Sequence, residues 1–94
     1  MYAVIRTYSG QGATELFDEL AHREDDARRV VTTIPGFVSY VAIRSGDGGS
    51  VVTVCEDREG VEESTRRAAD WVKANIEVGV DPPTIAEGEA ILHF

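Results

Sequence analysis

The sequence is short of several residue types, and each shortage excludes something. It has a single cysteine, Cys55, so no internal disulfide can form and we expect a reducing, cytoplasmic setting. No apolar run approaches the roughly 20 residues that a membrane-spanning helix needs, so no membrane association is expected. Residues 1–6 lack the basic and long apolar regions of a signal peptide, which agrees with that setting.

Basic residues are also scarce. Nine Lys and Arg stand against 17 Asp and Glu, which gives a formal net charge of −8. Binding to nucleic acid needs clustered positive charge, so this partner is not expected. No spacing of His, Cys and carboxylate residues resembles a metal site, so no metal is expected either.

What is present points to one small globular domain. The chain is 94 residues long and 43% hydrophobic, which fits a single domain over residues 1–94. A chain of this length has a modest core, so self-association would help to stabilise it.

The hydrophobic pattern predicts elements in the order β-α-β-β-α-β, organised around residues 34–56. That stretch is interpreted as a helix end, a break at Pro35 and Gly36, and a β-hairpin. The predicted strands are 2–8, 37–45, 51–56 and 84–94, and the predicted helices run from residue 13 or 14 to 34 and from 60 to 76. The hairpin turn is placed at residues 46–49, and Gly88 is expected to form a β-bulge in the last strand.

This order predicts an α+β fold, the ferredoxin-like plait. Two right-handed crossovers around a central hairpin give an antiparallel sheet in the order 4-1-3-2, with both helices on one face. The strands at 37–45 and 51–56 carry apolar residues on both sides. We therefore expect a second copy of the chain to cover the face that the helices leave bare.

Helical wheels place several polar and aromatic residues on or beside the apolar faces of the helices. The first predicted helix has an apolar stripe that Glu24 interrupts, while His22 points the opposite way. The second has a buried stripe with Ser64, Trp71 and Asn75 along one edge.

These features together resemble the dimeric α/β-barrel superfamily, and most closely its antibiotic-biosynthesis-monooxygenase-like proteins. The resemblance covers nearly the whole chain. It rests on the element order, Ile34-Pro35-Gly36-Phe37 at the first helix-to-strand junction, the turn at 44–49 and the acidic end of residues 52–57. It implies a homodimer whose sheets pack face to face, with a cavity in each subunit between sheet and helices. The superfamily includes cofactor-independent oxygenases of aromatic polyketides, haem-degrading enzymes and members without known activity, so the fold does not settle the function.

The sequence departs from that pattern in two places. The third strand often ends in Trp in the superfamily, and here it ends in Cys55. The haem-degrading branch uses an Asn, a Trp and a His at positions that fall here on Thr7, Ser64, and Ala74 or Asn75, and none matches. We therefore expect no haem bound through an axial His, and no other cofactor.

Four residues are candidates for a catalytic site, namely Glu24, Trp71, Asn75 and Tyr40. The resemblance implies a cavity lined by Trp, Asn and Tyr, and Trp71, Asn75 and Tyr40 are the available residues of those types. Glu24 on an apolar stripe could be a base with a raised pKa. The alternative is structural, with Trp71 and Tyr40 packed in the core and Glu24 reaching water or an Arg.

Two strand arginines, Arg6 and Arg44, also have two interpretations. They could bind a substrate anion, or they could pair with acids across the sheet or the dimer, which is the interpretation we favour. Cys55 lies beside acids that raise a thiol pKa, so it is not expected to act as a nucleophile.

These observations favour two alternative functions. The first is a cofactor-independent monooxygenase acting on an aromatic or polyketide-like small molecule. The second is a non-catalytic dimeric module that binds a small hydrophobic ligand or an interaction partner. A dry cavity with converging polar groups would favour the enzyme, and a cavity filled by side chains would favour the module.

Overall fold

A computed structural model describes residues 1–94, with seven elements around one sheet. These are β1 (Tyr2–Tyr8), α1 (Ala13–His22), α2 (Glu24–Thr32), β2 (Phe37–Ser45), β3 (Gly48–Cys55), α3 (Arg58–Asn75) and β4 (Thr84–Glu89). The strands are antiparallel in the order β2-β3-β1-β4, and the helices pack on one face. The predicted ferredoxin-like plait is confirmed. No helix combines the length and the apolar composition needed to cross a membrane.

The first predicted helix is two helices, because the backbone leaves helical geometry at Arg23 (φ −116°, ψ 44°). Arg23 pairs with Glu19 at 2.7 Å and donates to Asn75 Oδ1 on α3 at 3.0 Å. The expectation that Glu24 interrupts a buried stripe is wrong: its side chain is 75% exposed and pairs with Arg28 at 2.8 Å.

The hairpin turn is shorter than predicted. Gly46 adopts a positive φ of 60° and β3 already begins at Gly48, so two of the glycines assigned to the turn are strand residues. A Cβ on Gly49 would meet the Ile43 carbonyl oxygen and lie 2.8 Å from Phe17 Cε2. The strand needs glycine there because α1 packs directly on it.

The last strand also differs from the prediction. β4 ends at Glu89 instead of Phe94, and Gly88 pairs with Ala3 in regular register, so it forms no bulge. The register irregularity lies in β2 instead, between Phe37 and Ser39. Beyond β4 the apolar tail is exposed, at 85% for Ile91 and 74% for Leu92.

The core lies between the helices and the sheet, in two clusters. The first contains Tyr8, Ala13, Leu16, Phe17, Val51 and Ile76, and the second contains Val4, Ile34, Cys55 and Val61. Asp57 caps α3 by accepting from Gly60 N at 3.0 Å. A Cβ on Gly60 would lie 2.7 Å from Cys55 Cβ, so the start of α3 sits tightly over that thiol. Burial, together with the charge of Asp57, raises the pKa of Cys55.

The sheet face turned away from the helices carries no charged residue. It consists of Ala3, Ile5, Thr7, Ser39, Val41, Ile43, Ser50, Val52, Val54, Thr84, Ala86 and Gly88. We call this surface the open face. Ile5, Val41 and Ile43 are 41%, 51% and 52% exposed on it. The expectation that the helices leave one sheet face bare is confirmed.

Two strand glycines provide a matched test of how closely α1 packs on β3. Gly49→Ala should lower the free energy of unfolding by about 1–3 kcal/mol, because the new methyl group overlaps the Ile43 carbonyl and the Phe17 ring. Gly88→Ala in β4 meets nothing within 4 Å and should change stability by no more than about 0.5 kcal/mol. Urea unfolding of both variants measures the difference. Equal stabilities would contradict the close packing of α1 on β3.

Candidate functional site

The space between helices and sheet contains a small cavity, which we call the inner chamber. Its volume is about 40 Å³, enough for one or two water molecules. Most of the lining is aliphatic. The polar and aromatic groups that reach it are Arg6, Tyr8, Tyr40, Ser64 and Trp71. Side chains thus fill most of this space, and polar groups converge on what is left.

A larger groove of about 710 Å³, the outer groove, lies between the two N-terminal helices and β2. Ala21 and Glu24, on either side of the break between α1 and α2, both line it. It shares Leu20, Ala27, Val31 and Tyr40 with the inner chamber, so the two spaces adjoin. We refer to the two neighbouring spaces together as the cleft, with the inner chamber at the end nearer β1.

Arg6 is the charged residue at the inner end of this cleft. Its side chain points to the helices because it alternates with Val4 and Tyr8 on the buried side of β1, and the residue is only 2% exposed. Its guanidinium donates to Ser64 Oγ at 3.2 Å, Thr65 Oγ1 at 3.3 Å and Thr53 Oγ1 at 3.2 Å. Nε has no hydrogen-bond partner.

The two strand arginines have different environments. Arg44 pairs with Asp18 at 3.1 Å, so the predicted ion pair exists, but its acid lies on α1 and not across the sheet or the dimer. Arg6 forms no ion pair with any acid of the chain, so the same prediction is wrong for Arg6 within the chain. Since Arg6 is buried on the helix side, a partner subunit on the open face could not supply the missing acid.

Two tyrosines share the electrostatic environment of Arg6. Burial raises the pKa of Tyr8, and the nearby positive charge of Arg6 offsets only part of that rise. Burial likewise raises the pKa of Tyr40, where Arg6 acts to lower it and Tyr8 to raise it. Tyr8 also packs edge-on against Phe17, with ring centroids 6.1 Å apart. Both phenols therefore stay neutral at neutral pH and leave the charge of Arg6 uncompensated.

The structure brings two of the four predicted site residues to the inner chamber. Tyr40 and Trp71 line it and are both half-buried. Glu24 lies in the outer groove, exposed and paired with Arg28. Asn75 does not reach the cleft; it borders a separate depression beside Trp71, whose carbonyl oxygen it binds through Nδ2 at 2.9 Å.

Arg6 and Ser64 were not predicted from the sequence to belong to one site. One signal in the sequence could have indicated Arg6. Alternate residues of a strand share a face, so Arg6 lies on the same side of β1 as the apolar residues Val4 and Tyr8, and a charge on that side is unusual. Thr7, the residue compared with the haem-degrading branch, lies on the open face and hydrogen-bonds Ser50 at 3.0 Å. It cannot face the cleft, whereas Arg6 does.

His22 lies on the outer side of α1, as the helical wheel predicted. His22 is exposed, and its Nδ1 lies 2.8 Å from the Asp18 carbonyl oxygen, on the outside of α1. No group of three or more His, Cys, Asp or Glu side chains comes together as metal ligands would.

Comparison with known structures identifies the same fold elsewhere. NE2512, a protein of unknown function from Nitrosomonas europaea, matches with a TM-score of 0.70 and 16% identity, over 99% of this chain and 90% of that one. The haem degrader MhuD from Mycobacterium tuberculosis matches with a TM-score of 0.63 and 24% identity, over 99% and 97%. SnoaB, a cofactor-independent oxygenase from Streptomyces nogalater, matches with a TM-score of 0.65 and 16% identity, over 98% and 94%.

The resemblance inferred from the sequence is thus confirmed at the level of the fold. No protein-family model matches the sequence, and no curated protein matches it. At these identities the shared fold leaves the activity open.

The buried phenol of Tyr40 makes stability depend on alkaline pH. Because its pKa is higher in the folded state, the folded chain binds more protons above pH 10, the usual tyrosine value. The free energy of unfolding should be unaffected below about pH 9 and should fall as the pH rises beyond 10. The free energy of unfolding of Tyr40→Phe, measured with urea, should fall less steeply than that of wild type between about pH 10 and pH 12. Parallel curves for the two proteins would show that Tyr40 is not a buried neutral phenol.

Proposed function

We propose that this chain is a cofactor-independent monooxygenase that binds a flat aromatic or polyketide-like molecule in the cleft. The observation that carries the proposal is the outer groove ending at a chamber edged by Trp71 and Tyr40. The oxygenase chemistry is attributed to SnoaB, which shares the fold. An apolar groove with a few polar groups at its end is the usual form of a small-molecule site.

The reaction needs little from the protein beyond binding and desolvation. A ring CH₂ that is conjugated with a carbonyl across the ring gives a proton to a base, and the carbanion combines with O₂ and takes a proton back to form a hydroperoxide. Loss of water then gives a new C=O, so that one oxygen atom ends in the product and the other in water. The substrate supplies all the electrons, so no external reductant is required.

Each candidate residue has a part in this proposal. Trp71 meets the end of the substrate that enters the inner chamber, and Tyr40 donates a hydrogen bond to the substrate from the wall shared by groove and chamber. Glu24 is the only carboxylate lining the groove and is the proposed base. Asn75 acts as a positioning residue, through its hydrogen bond to the Trp71 carbonyl.

The second candidate function is a non-catalytic ligand-binding module. The volume of the inner chamber favours it, because 40 Å³ cannot hold an aromatic ring. A ring held only in the outer groove would remain partly in water, where a carbanion gains less from its surroundings than in a dry site.

Anthrone, which has an acidic ring CH₂, separates the two functions. For the enzyme, anthrone should quench Trp71 fluorescence saturably and be converted to anthraquinone faster than in buffer, without added metal or flavin. Glu24→Gln should slow product formation at least about tenfold while leaving the quenching unchanged. Glu62→Gln, on the exposed side of α3, is the matched control and should retain full activity.

The outcomes of that experiment differ for each function. Quenching without oxygen-dependent product would support the binding module. If anthrone neither quenched Trp71 nor reacted, the cleft would not be an aromatic site.

We also propose that the chain is a cytoplasmic homodimer joined through the open face. The face is apolar and uncharged, so a second copy meets no like charge there despite the net charge of −8. The exposed apolar tail continues past β4 and adds Ile91, Leu92 and Phe94 to the surface that needs covering. A stable dimer would bury about 1,600 Å² or more in total.

The dimer prediction is tested by placing a charge on the open face. Wild type should sediment at micromolar concentration as two chains of 10.2 kDa each. Val41→Asp, which sets two like charges in the interface, should sediment as a monomer. Val78→Asp is the control, because Val78 is 45% exposed and lies off the sheet. A monomeric wild type would contradict the proposal.

A further inference from the structure

Arg6 stands out among the basic residues because it is buried and has no acidic partner. Arg23, Arg28, Arg29, Arg44, Arg66 and Arg67 all form ion pairs within the chain. Arg58 stacks over Tyr2 at 5.5 Å, and Lys73 is exposed. The chain carries 17 acids, yet none forms an ion pair with Arg6, which is only 2% exposed. A buried charge without a counter-ion is costly, and the cost is usually avoided by pairing.

The hydrogen bonds of Arg6 do not account for its presence. Its three acceptors are neutral hydroxyl groups at 3.2–3.3 Å, longer than the usual 2.7–2.9 Å of a charge-assisted hydrogen bond. Nε is buried without any acceptor. An apolar side chain of similar length would fill the same space without leaving a charge or an N–H group unpaired.

We propose that Arg6 is the receptor for an anionic oxygen of the ligand, a carboxylate, phenolate or enolate that supplies the missing counter-charge. The proposal rests on the cleft described under the proposed function and specifies what that cleft selects. The inner chamber has room for an oxygen substituent but not for a ring, so the ring stays in the outer groove. A ligand anion would then meet Arg6 at the closed end.

The chamber is the side from which an anion can reach Arg6. Arg6 also borders a groove on the other side of α3, where two acids, Glu77 and Asp81, outnumber the one further cation, Lys73, and oppose the binding of an anion. The inner chamber has no carboxylate in its lining. The neutral phenols of Tyr8 and Tyr40 can add hydrogen bonds without opposing the charge.

The net charge of the chain makes this recognition depend on one residue. At −8 the protein as a whole repels anions, so an anionic ligand binds only if a local positive charge outweighs that field. In the lining of the inner chamber, Arg6 is the only cationic side chain, and the two arginines that line the outer groove, Arg28 and Arg44, are already paired with Glu24 and Asp18. Its removal should therefore abolish the preference for anions, rather than merely weaken it.

The test compares two flat probes of the same shape, 2-naphthoate and neutral 2-naphthamide, titrated against Trp71 fluorescence at pH 7. Wild type should bind 2-naphthoate about tenfold or more tightly than 2-naphthamide. Arg6→Met should bind the two probes equally or prefer the amide. Arg66→Met, which removes an exposed arginine, should keep the wild-type preference. Equal binding of the two probes by wild type would overturn the proposal.

A second pair of variants locates the binding side. Ala27 lines both the chamber and the outer groove, so Ala27→Leu should reduce 2-naphthoate binding about tenfold or more. Ala69 lies on the other side of α3, and Ala69→Leu should leave binding unchanged. If Ala69→Leu lost 2-naphthoate binding and Ala27→Leu kept it, the anion would lie in the groove with Glu77 and Asp81. That result would overturn the assignment to the chamber.

Stability distinguishes a receptor from a structural arginine. If Arg6 awaits a ligand anion, Arg6→Met should unfold at the same temperature as wild type or higher, and 2-naphthoate should raise the melting temperature of wild type only. A lower melting temperature for Arg6→Met, with no effect of 2-naphthoate on wild type, would show a purely structural role. These results do not depend on oxygenation: selective 2-naphthoate binding without turnover of anthrone would retain the Arg6 receptor and reject the enzyme.

Discussion

The interior of this protein is arranged around a positive charge that has no negative partner within the chain. The guanidinium of Arg6 receives its hydrogen-bond acceptors from two other elements, Thr53 on β3 and the adjacent Ser64 and Thr65 on α3. One side chain of β1 thus contacts both a neighbouring strand and the longest helix. Ser64 also donates to the Val61 carbonyl oxygen at 2.6 Å, so the acceptor oxygen is held by its own helix.

The same residue explains why the core is divided. Along the buried side of β1, Val4 belongs to the second cluster and Tyr8 to the first, and Arg6 lies between them. The polar centre separates an end closed by Ile34 and the start of α3 at Val61 from an end closed by α1 and the later part of α3 at Trp71 and Val72. The cleft lies at the end with the first cluster. Tyr8 and Trp71 line its inner chamber, and residues of α1, α2 and β2 line its outer groove.

How far the sequence predicted this structure depends on how local each signal is. The bounds of β1 and β2 were correct because their apolar and β-branched runs end at clear turn residues. The end of α1 was missed because nothing at Arg23 marks a break; the contact that accompanies the break is with Asn75, more than 50 residues away. The glycines at 48 and 49 were assigned to the turn because a one-dimensional pattern does not reveal that Phe17 packs over them.

The candidate site was predictable only in part for the same reason. Tyr40 and Trp71 were selected by residue type and lie at the inner chamber. Glu24 was assigned to the buried stripe, but its carboxylate reaches the surface and pairs with Arg28, a contact that a helical wheel does not show. Arg6 was considered, but its isolation from acids could not be read from a sequence that contains 17 of them. Only the packing of α3 against β1 shows that its neighbours are hydroxyl groups.

The one thiol of the chain reports on how this fold opens. Cys55 is fully buried, its pKa is raised, and the first turn of α3 covers it at Gly60. Thiolate is the form that reacts with alkylating reagents, so the folded chain should be nearly inert to them. Labelling would proceed only when α3 lifts from the sheet or the whole domain unfolds. The rate of alkylation therefore measures the free energy of that opening under native conditions, through a probe that the sequence already contains.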